Sequence, residues 1–252
     1  MKLKYLLIML WAVNLNSCQQ DTNVYDCEDG RKELTCSDQT AEEKAMASMK
    51  AGEFVTASAI YKELIVAEPE KYKLYALRGA ALAGESGFRI LDLVNVTFGG
   101  DGSLIELLGD FLPSPADYET PALYGKAVDT MKLSVNQLLA IPANLRSETS
   151  EETYSPSAIF QLTVYQSAYS LMLMNKFALN VEGEFDPEQL KTMTESDAVE
   201  ILQSLRDAAT VGGEDSEALA GAIDKALVDI DSQEGGTSSE KLKKFLELEQ
   251  AG

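Results

Sequence analysis

From Thr40 onward the apolar residues of this chain recur every three or four positions, the spacing that places them on one face of a helix. Leu123, Ala127, Met131, Val135 and Leu138 form one such stripe, and Ala198, Ile201, Leu202, Leu205, Ala208 and Ala209 form a second. Leu219, Ile223, Leu227 and Ile230 form a third. No segment alternates at period two for long enough to read as a strand. Helix-opening residues punctuate the stripes. Thr40 with Glu43 and Ser103 with Glu106 have capping-box spacing, and Asp186-Pro187 is followed by Gln189. Ser114-Pro115, Thr120-Pro121 and Ser155-Pro156 each set a capping residue before a proline suited to the first helical position. The pattern predicts an all-α fold, a multi-helix bundle of about ten helices with an irregular repeat character.

Residues 159–179 are apolar on most sides and carry Tyr165, Tyr169, Leu171, Met172, Leu173 and Phe177. Gln161, Gln166, Asn175 and Lys176 interrupt them, which predicts a buried central helix rather than a membrane span. Polar, proline-containing residues 141–155 and the Gly235-Gly236 region at 232–239 are soft boundaries. Beyond the second boundary, residues 236–252 read as a linker and an amphipathic helix with Leu242, Phe245 and Leu246 on one face. That helix either docks on the body, 40–235, or serves a partner.

The charge balance excludes several functions. Lys and Arg number 21 against 41 Asp and Glu, a net charge of -20. Such a surface repels phosphate backbones, which removes nucleic acids as partners, and it avoids anionic lipid headgroups. Histidine is absent. With it go the commonest general base, the commonest zinc ligand and every Ser-His or Cys-His relay. No catalytic, cofactor-binding or metal-ligating set emerges. Gly99-Gly100-Asp101-Gly102 lacks the Gly-Lys-Ser/Thr of a phosphate loop and reads as a plain loop. Asp229 and Asp231 lie two apart on one helix and do not face each other. Loose calcium binding by acidic clusters stays open.

The N-terminus carries a different message. Lys2 and Lys4 precede an apolar stretch from Tyr5 to Val13, too short to span a bilayer but suited to a signal sequence. It ends at Leu15-Asn16-Ser17-Cys18, which resembles the bacterial lipobox, with Asn16 departing from the usual choice. The resemblance implies cleavage of residues 1–17 and acylation of Cys18 on its sulfur and its new amine, a covalent lipid and the sole prosthetic group expected. Several acyl chains, each CH₂ contributing about 0.8 kcal/mol on burial, make a stable anchor. Gln19, where the family uses Asp for inner-membrane retention, implies the periplasmic side of an outer membrane. Cleavage removes two lysines and leaves a net charge of -22. An exported chain sits where disulfides persist, so Cys27 and Cys36 are expected to pair within a polar tether over 18–39. Metal ligation by those two thiolates lacks further ligands.

Residues 41–88 carry the second resemblance. Gly52 and Phe54 stand at a turn and the start of a second helix, Ala57 and Tyr61 where a small residue and an aromatic interlock two helices, and Pro69 at a unit's end. Gly79 falls one period after Ala45. This resembles the tetratricopeptide repeat, a helix-turn-helix unit of about 34 residues. Lys44 takes a position usually apolar, and the second unit decays after Leu82. The family resemblance implies a partner-binding hairpin, with Phe54, Tyr61, Tyr75 and Arg78 as its candidate residues. In architecture and address the chain is similar to helical lipoproteins that accompany TRAP-type transporters, with no residue to carry across. The expectation is therefore a non-catalytic scaffold or interaction module with a protein or peptide partner. A solute- or lipid-binding accessory with an apolar pocket is the alternative.

Overall fold

The computed structural model describes residues 40–89, 104–146, 156–211 and 217–249. The lipobox with Cys18, the Cys27 and Cys36 pair, Ser103, Ser155 and the Gly99 loop lie outside the described residues. The fold is all-α. Eleven helices occur among the described residues: α1 Ala41–Lys50, α2 Phe54–Ala67, α3 Tyr72–Glu85, α4 Leu104–Leu108, α5 Pro121–Leu139, α6 Ala143–Arg146, α7 Pro156–Ala178, α8 Pro187–Leu190, α9 Glu195–Val211, α10 Glu217–Asp231 and α11 Ser238–Glu249. The long helices pack serially: α1 on α2, α2 on α3, α3 on α5, α5 on α7, α7 on α9 and α9 on α10, with α11 resting on α9 and α10. The described residues from Ala41 onward cluster as one compact unit.

Small residues set the close approaches at the N-terminal end. Ala45, Ala57, Tyr61, Leu74 and Ala81 form a distinct apolar cluster, and all five are fully buried. Gly52 closes α1 in the left-handed region at φ 76°, where L side chains are strained. The Glu53 amide reaches back to Ser48 O at 2.8 Å, satisfying a carbonyl that the helix end would leave free. At Gly79 a Cβ would lie 3.4 Å from Leu138 Cγ on α5, and Ser134 Oγ donates to the Gly79 carbonyl at 2.7 Å. The helix paired with α3 is therefore α5, with residues 86–120 intervening. Tyr118 fastens that excursion by donating to Ser86 O at 2.9 Å.

The main core surrounds α7, which is buried along most of its length. Three of its hydroxyls are satisfied locally: Thr163 donates to Ile159 O at 3.2 Å, Ser167 to Thr163 O at 2.8 Å and Ser170 to Gln166 O at 2.9 Å. Each bond avoids the roughly 1–3 kcal/mol of leaving a buried hydroxyl unmatched. Tyr124 on α5 donates across to Met172 O at 3.1 Å. Among the described residues no helix is long and apolar enough to cross a membrane.

Several local expectations are corrected. Ser114 does cap, accepting from the Ala116 amide at 3.3 Å, but the element it opens is a 3-10 turn at Pro115–Asp117. Asp186 caps α8 as read, whereas Gln189 turns away and donates to Lys176 O and Leu179 O, closing the end of α7. Leu123 is exposed because Tyr124 and Val128 take the inward positions of α5. Ile141, the first residue of the polar stretch 141–155, is fully buried. The C-terminal helix docks, with Leu242, Phe245 and Leu246 buried.

Candidate functional site

The four hairpin residues have different environments. Tyr61 on α2 is completely buried, so it packs the hairpin and presents nothing to a partner. Its hydroxyl has no partner among the described residues, and burial, helped by the charge of Glu42, pushes its pKa up to about 12. The Phe54 ring lies over Gly84: a Cβ there would come 2.5 Å from Cδ1, so only glycine admits the ring. Phe54 is half-buried and serves the closure of α2 on α3. Tyr75 and Arg78, by contrast, remain partly exposed on α3. Tyr75 donates to Pro69 O at 3.1 Å and stands 6.0 Å from the Tyr72 ring at a tilt of 43°, both rings half-buried against the main core.

Arg78 lies one turn further along. Its Nη1 donates to Gln137 Oε1 on α5 at 3.0 Å, while its Nε is buried and without a hydrogen-bond partner. Seven residues on, Glu85 shares the same stripe of α3. Ser58 on α2 donates to Glu85 Oε2 at 3.2 Å. The stripe is thus flanked by α2 on one side and α5 on the other. Burial lowers the pKa of Arg78, and the charge of Glu85 works in the opposite direction.

Among the described residues Arg78 shares its lack of an ion pair with Arg146, whose Nε donates instead to Ile141 O at 2.8 Å. Acids outnumber bases almost two to one, yet only some of the cations among the described residues are ion-paired. Lys71 and Lys73 bridge to Glu42 at 3.0 Å each, Lys132 pairs with Glu200, and Lys244 with Glu234 at 3.4 Å. Arg78 has no ion pair among the described residues, although a fixed guanidinium fork is the group best suited to a carboxylate. Sequence reading selected Tyr75 and Arg78 but missed Gln137, Ser58 and Glu85. One signal was available: Arg78 stands one repeat period of about 34 residues after Lys44, the cation already seen at a usually apolar position.

Two other polar clusters are structural. Tyr169 on α7 donates to Glu200 Oε1 on α9 at 2.6 Å, and Lys132 of α5 binds the same oxygen and lies 5.8 Å from the Tyr169 ring centroid. Those two donors hold the Glu200 carboxyl below its ordinary pKa. Glu195 accepts from the Ser238 and Ser239 amides at 3.0 and 2.8 Å, capping α11 from another helix, and these bonds lower its pKa. A cavity between α4, α7, α9, α10 and α11, bordered by Met174, Ala222 and Phe245, measures about 70 Å³. Among the described residues no group of three acids or cysteines is placed to hold a metal ion. Comparison with protein families, curated proteins and solved structures finds no match to the chain.

Proposed function

We propose that the chain is a lipid-anchored, non-catalytic interaction module. Acyl chains on Cys18 hold it at the periplasmic face of an outer membrane, a tether clipped by Cys27 and Cys36 follows, and the helical body receives a protein or peptide partner. The observation that carries the reading is the Tyr72, Tyr75 and Arg78 face of α3: partly exposed aromatics beside an unpaired arginine, the composition that dominates binding energy at protein interfaces. The serial packing of the long helices and the small residues at Ala45, Ala57 and Gly79 support a divergent tetratricopeptide-like stack, with α5 serving α3 as α2 serves α1. The cavity of about 70 Å³ beside Phe245 is far smaller than the roughly 300 Å³ or more of ordinary ligand sites. The solute-binding alternative gains nothing from it.

Membrane fractionation with affinity capture tests both halves. The native chain is expected in the membrane fraction with a reproducible protein partner, and Cys18→Ser in the soluble fraction. Cys18→Ser remaining with membranes refutes the anchor; a native chain that captures no reproducible partner refutes the module.

A further inference from the structure

The C-terminal helix sits on an incomplete fit. α11 rests on both α9 and α10, which also pack on each other, so it fills the groove between them. Its buried anchors Leu242, Phe245 and Leu246 stand at i, i+3 and i+4, the spacing by which an amphipathic helix enters an apolar groove. The fourth position of that pattern, i+7, is Glu249, which stays exposed. Where the fourth anchor is missing, packing is missing too. Phe245 and Glu249 border the cavity of about 70 Å³, whose walls include Leu171, Met174 and Ala222. Among the described residues Glu249 forms no ion pair, although Lys225 borders the same cavity. The polar contacts of α11 run in one sense. Lys241 donates to Asp231 O at 2.7 Å, Lys243 donates to Lys191 O at 3.3 Å, and Lys244 pairs with Glu234 at 3.4 Å. Glu195 accepts from the Ser238 and Ser239 amides, so the body meets this helix with acceptors.

We propose that the groove between α9 and α10 is a docking site for a basic amphipathic helix of a protein partner, and that α11 is the occupant which this helix displaces. This goes beyond the α3 face, since it is a separate surface with its own partner chemistry. α11 is built to leave: it is the last described helix and joins α10 only through residues 232–237, which include Gly235-Gly236. Its release therefore carries no other described helix with it. The partner helix has apolar residues at all four anchor positions, the fourth filling the space that Glu249 leaves open. It has lysine or arginine where α11 has Lys241, Lys243 and Lys244, which suits both the acceptors along the groove and the net charge of -20. The α11 of a second copy would leave the same cavity empty, so a helix with the fourth anchor is the better occupant. That extra burial is what lets it compete with a tethered segment, whose effective concentration is in the range of roughly 1 mM or more.

The test uses the full chain carrying Cys18→Ser, so that it stays in solution, with ¹³C-methyl methionine. Met174 borders the cavity and reports its filling, and Met174→Leu identifies its signal among the eight methionines. The probes are fluorescent peptides of residues 236–252: native, Glu249→Leu, and Glu249→Leu with Lys241→Glu, Lys243→Glu and Lys244→Glu added. By anisotropy the Glu249→Leu peptide is expected to bind about tenfold more tightly than the native one, the scale of one buried leucine, and to shift the Met174 signal. The charge-reversed peptide should bind roughly tenfold more weakly than its Glu249→Leu parent at low salt. The same Glu249→Leu change within the chain should complete the fit of α11, slowing its amide exchange and weakening peptide binding, each about tenfold. Leu242→Ala within the chain should loosen α11 and tighten peptide binding, with unchanged exchange in α7 showing that the body stays folded. No binding by the Glu249→Leu peptide, binding no tighter than the native peptide, or an unmoved Met174 signal overturns the inference. So does peptide binding indifferent to Glu249→Leu within the chain, which would put the peptide elsewhere. α11 amides exchanging as slowly as those of α7 would show a fixed helix. A chain that dimerises by itself and loses the dimer on Leu242→Ala would make the α11 of a second copy the occupant and defeat the partner helix.

Discussion

Gly84→Ala offers a sharp test of how the N-terminal hairpin closes. In an isolated helix the change stabilises by about 1 kcal/mol, because alanine gives up less backbone freedom than glycine. Here the new Cβ would lie 2.5, 2.6 and 2.7 Å from Cδ1, Cε1 and Cγ of Phe54, roughly 1 Å inside ordinary carbon–carbon contact. The ring must retreat, and overpacking of this kind costs about 1–3 kcal/mol. Subtracting the propensity gain leaves a net loss of roughly 0–2 kcal/mol. In a Phe54→Ala background the clash is gone, and the same Gly84→Ala should stabilise by about 1 kcal/mol. Urea unfolding of the four proteins yields the coupling, expected at about 1–3 kcal/mol with an unchanged m-value. Gly79→Ala is the internal control. Its Cβ would meet Leu138 Cγ at 3.4 Å and Ser134 O at 3.5 Å, distances a small adjustment relieves. Equal stabilisation by Gly84→Ala with and without the Phe54 ring would refute the packing described.

Other outcomes follow from the polar contacts. Glu200→Gln should destabilise the protein at neutral pH by about 1 kcal/mol at most, since the carboxylate is 39% exposed and its Lys132 partner 49% exposed. Because the folded carboxyl is held below its unfolded pKa, its contribution is present above the unfolded value of 4.5 and disappears as pH falls through the folded one. Unfolding curves of the native and substituted proteins should therefore converge in acid; a gap that widens there would contradict the assignment. Glu195→Ala removes the acceptor of the Ser238 and Ser239 amides, so hydrogen exchange should quicken in α11 while α5 and α7 keep their protection. Unchanged exchange in α11 would show that its buried Leu242, Phe245 and Leu246 hold it without the cap.

Much of the helical framework was legible because its causes are local. Thr120 and Asp186 cap helices from within their own first turns, and the stripes on α9 and α10 bury the residues that their periodicity marks, except Ala209 and Leu227, which are half-buried. What escaped depends on partners far along the chain. The second hairpin unit fades in the sequence after Leu82 because the helix packed on Gly79 is α5, beyond residues 86–120, where no fixed repeat spacing could point to it. Ser114 and Gln189 carry the right residue types, but neighbouring geometry decided that one opens a 3-10 turn and the other reaches the end of α7. Tyr61 and Tyr75 are alike in sequence, and only packing made one core and left the other on a face. The isolation of Arg78 was invisible for the same reason: composition counts charges, and only coordinates show which of them are matched.

Photo-crosslinking in cells tests the interaction reading most directly. Benzoylphenylalanine placed at Tyr75, beside Arg78, samples the proposed face; placed at Val228 on α10, which is 66% exposed, it samples an unrelated surface. With Cys18 intact, the account predicts one reproducible protein adduct from position 75 and none from position 228, and loss of the position 75 adduct when Arg78→Met is added. Adducts of equal yield from both positions, an adduct from position 228 alone, or none from either, would contradict it.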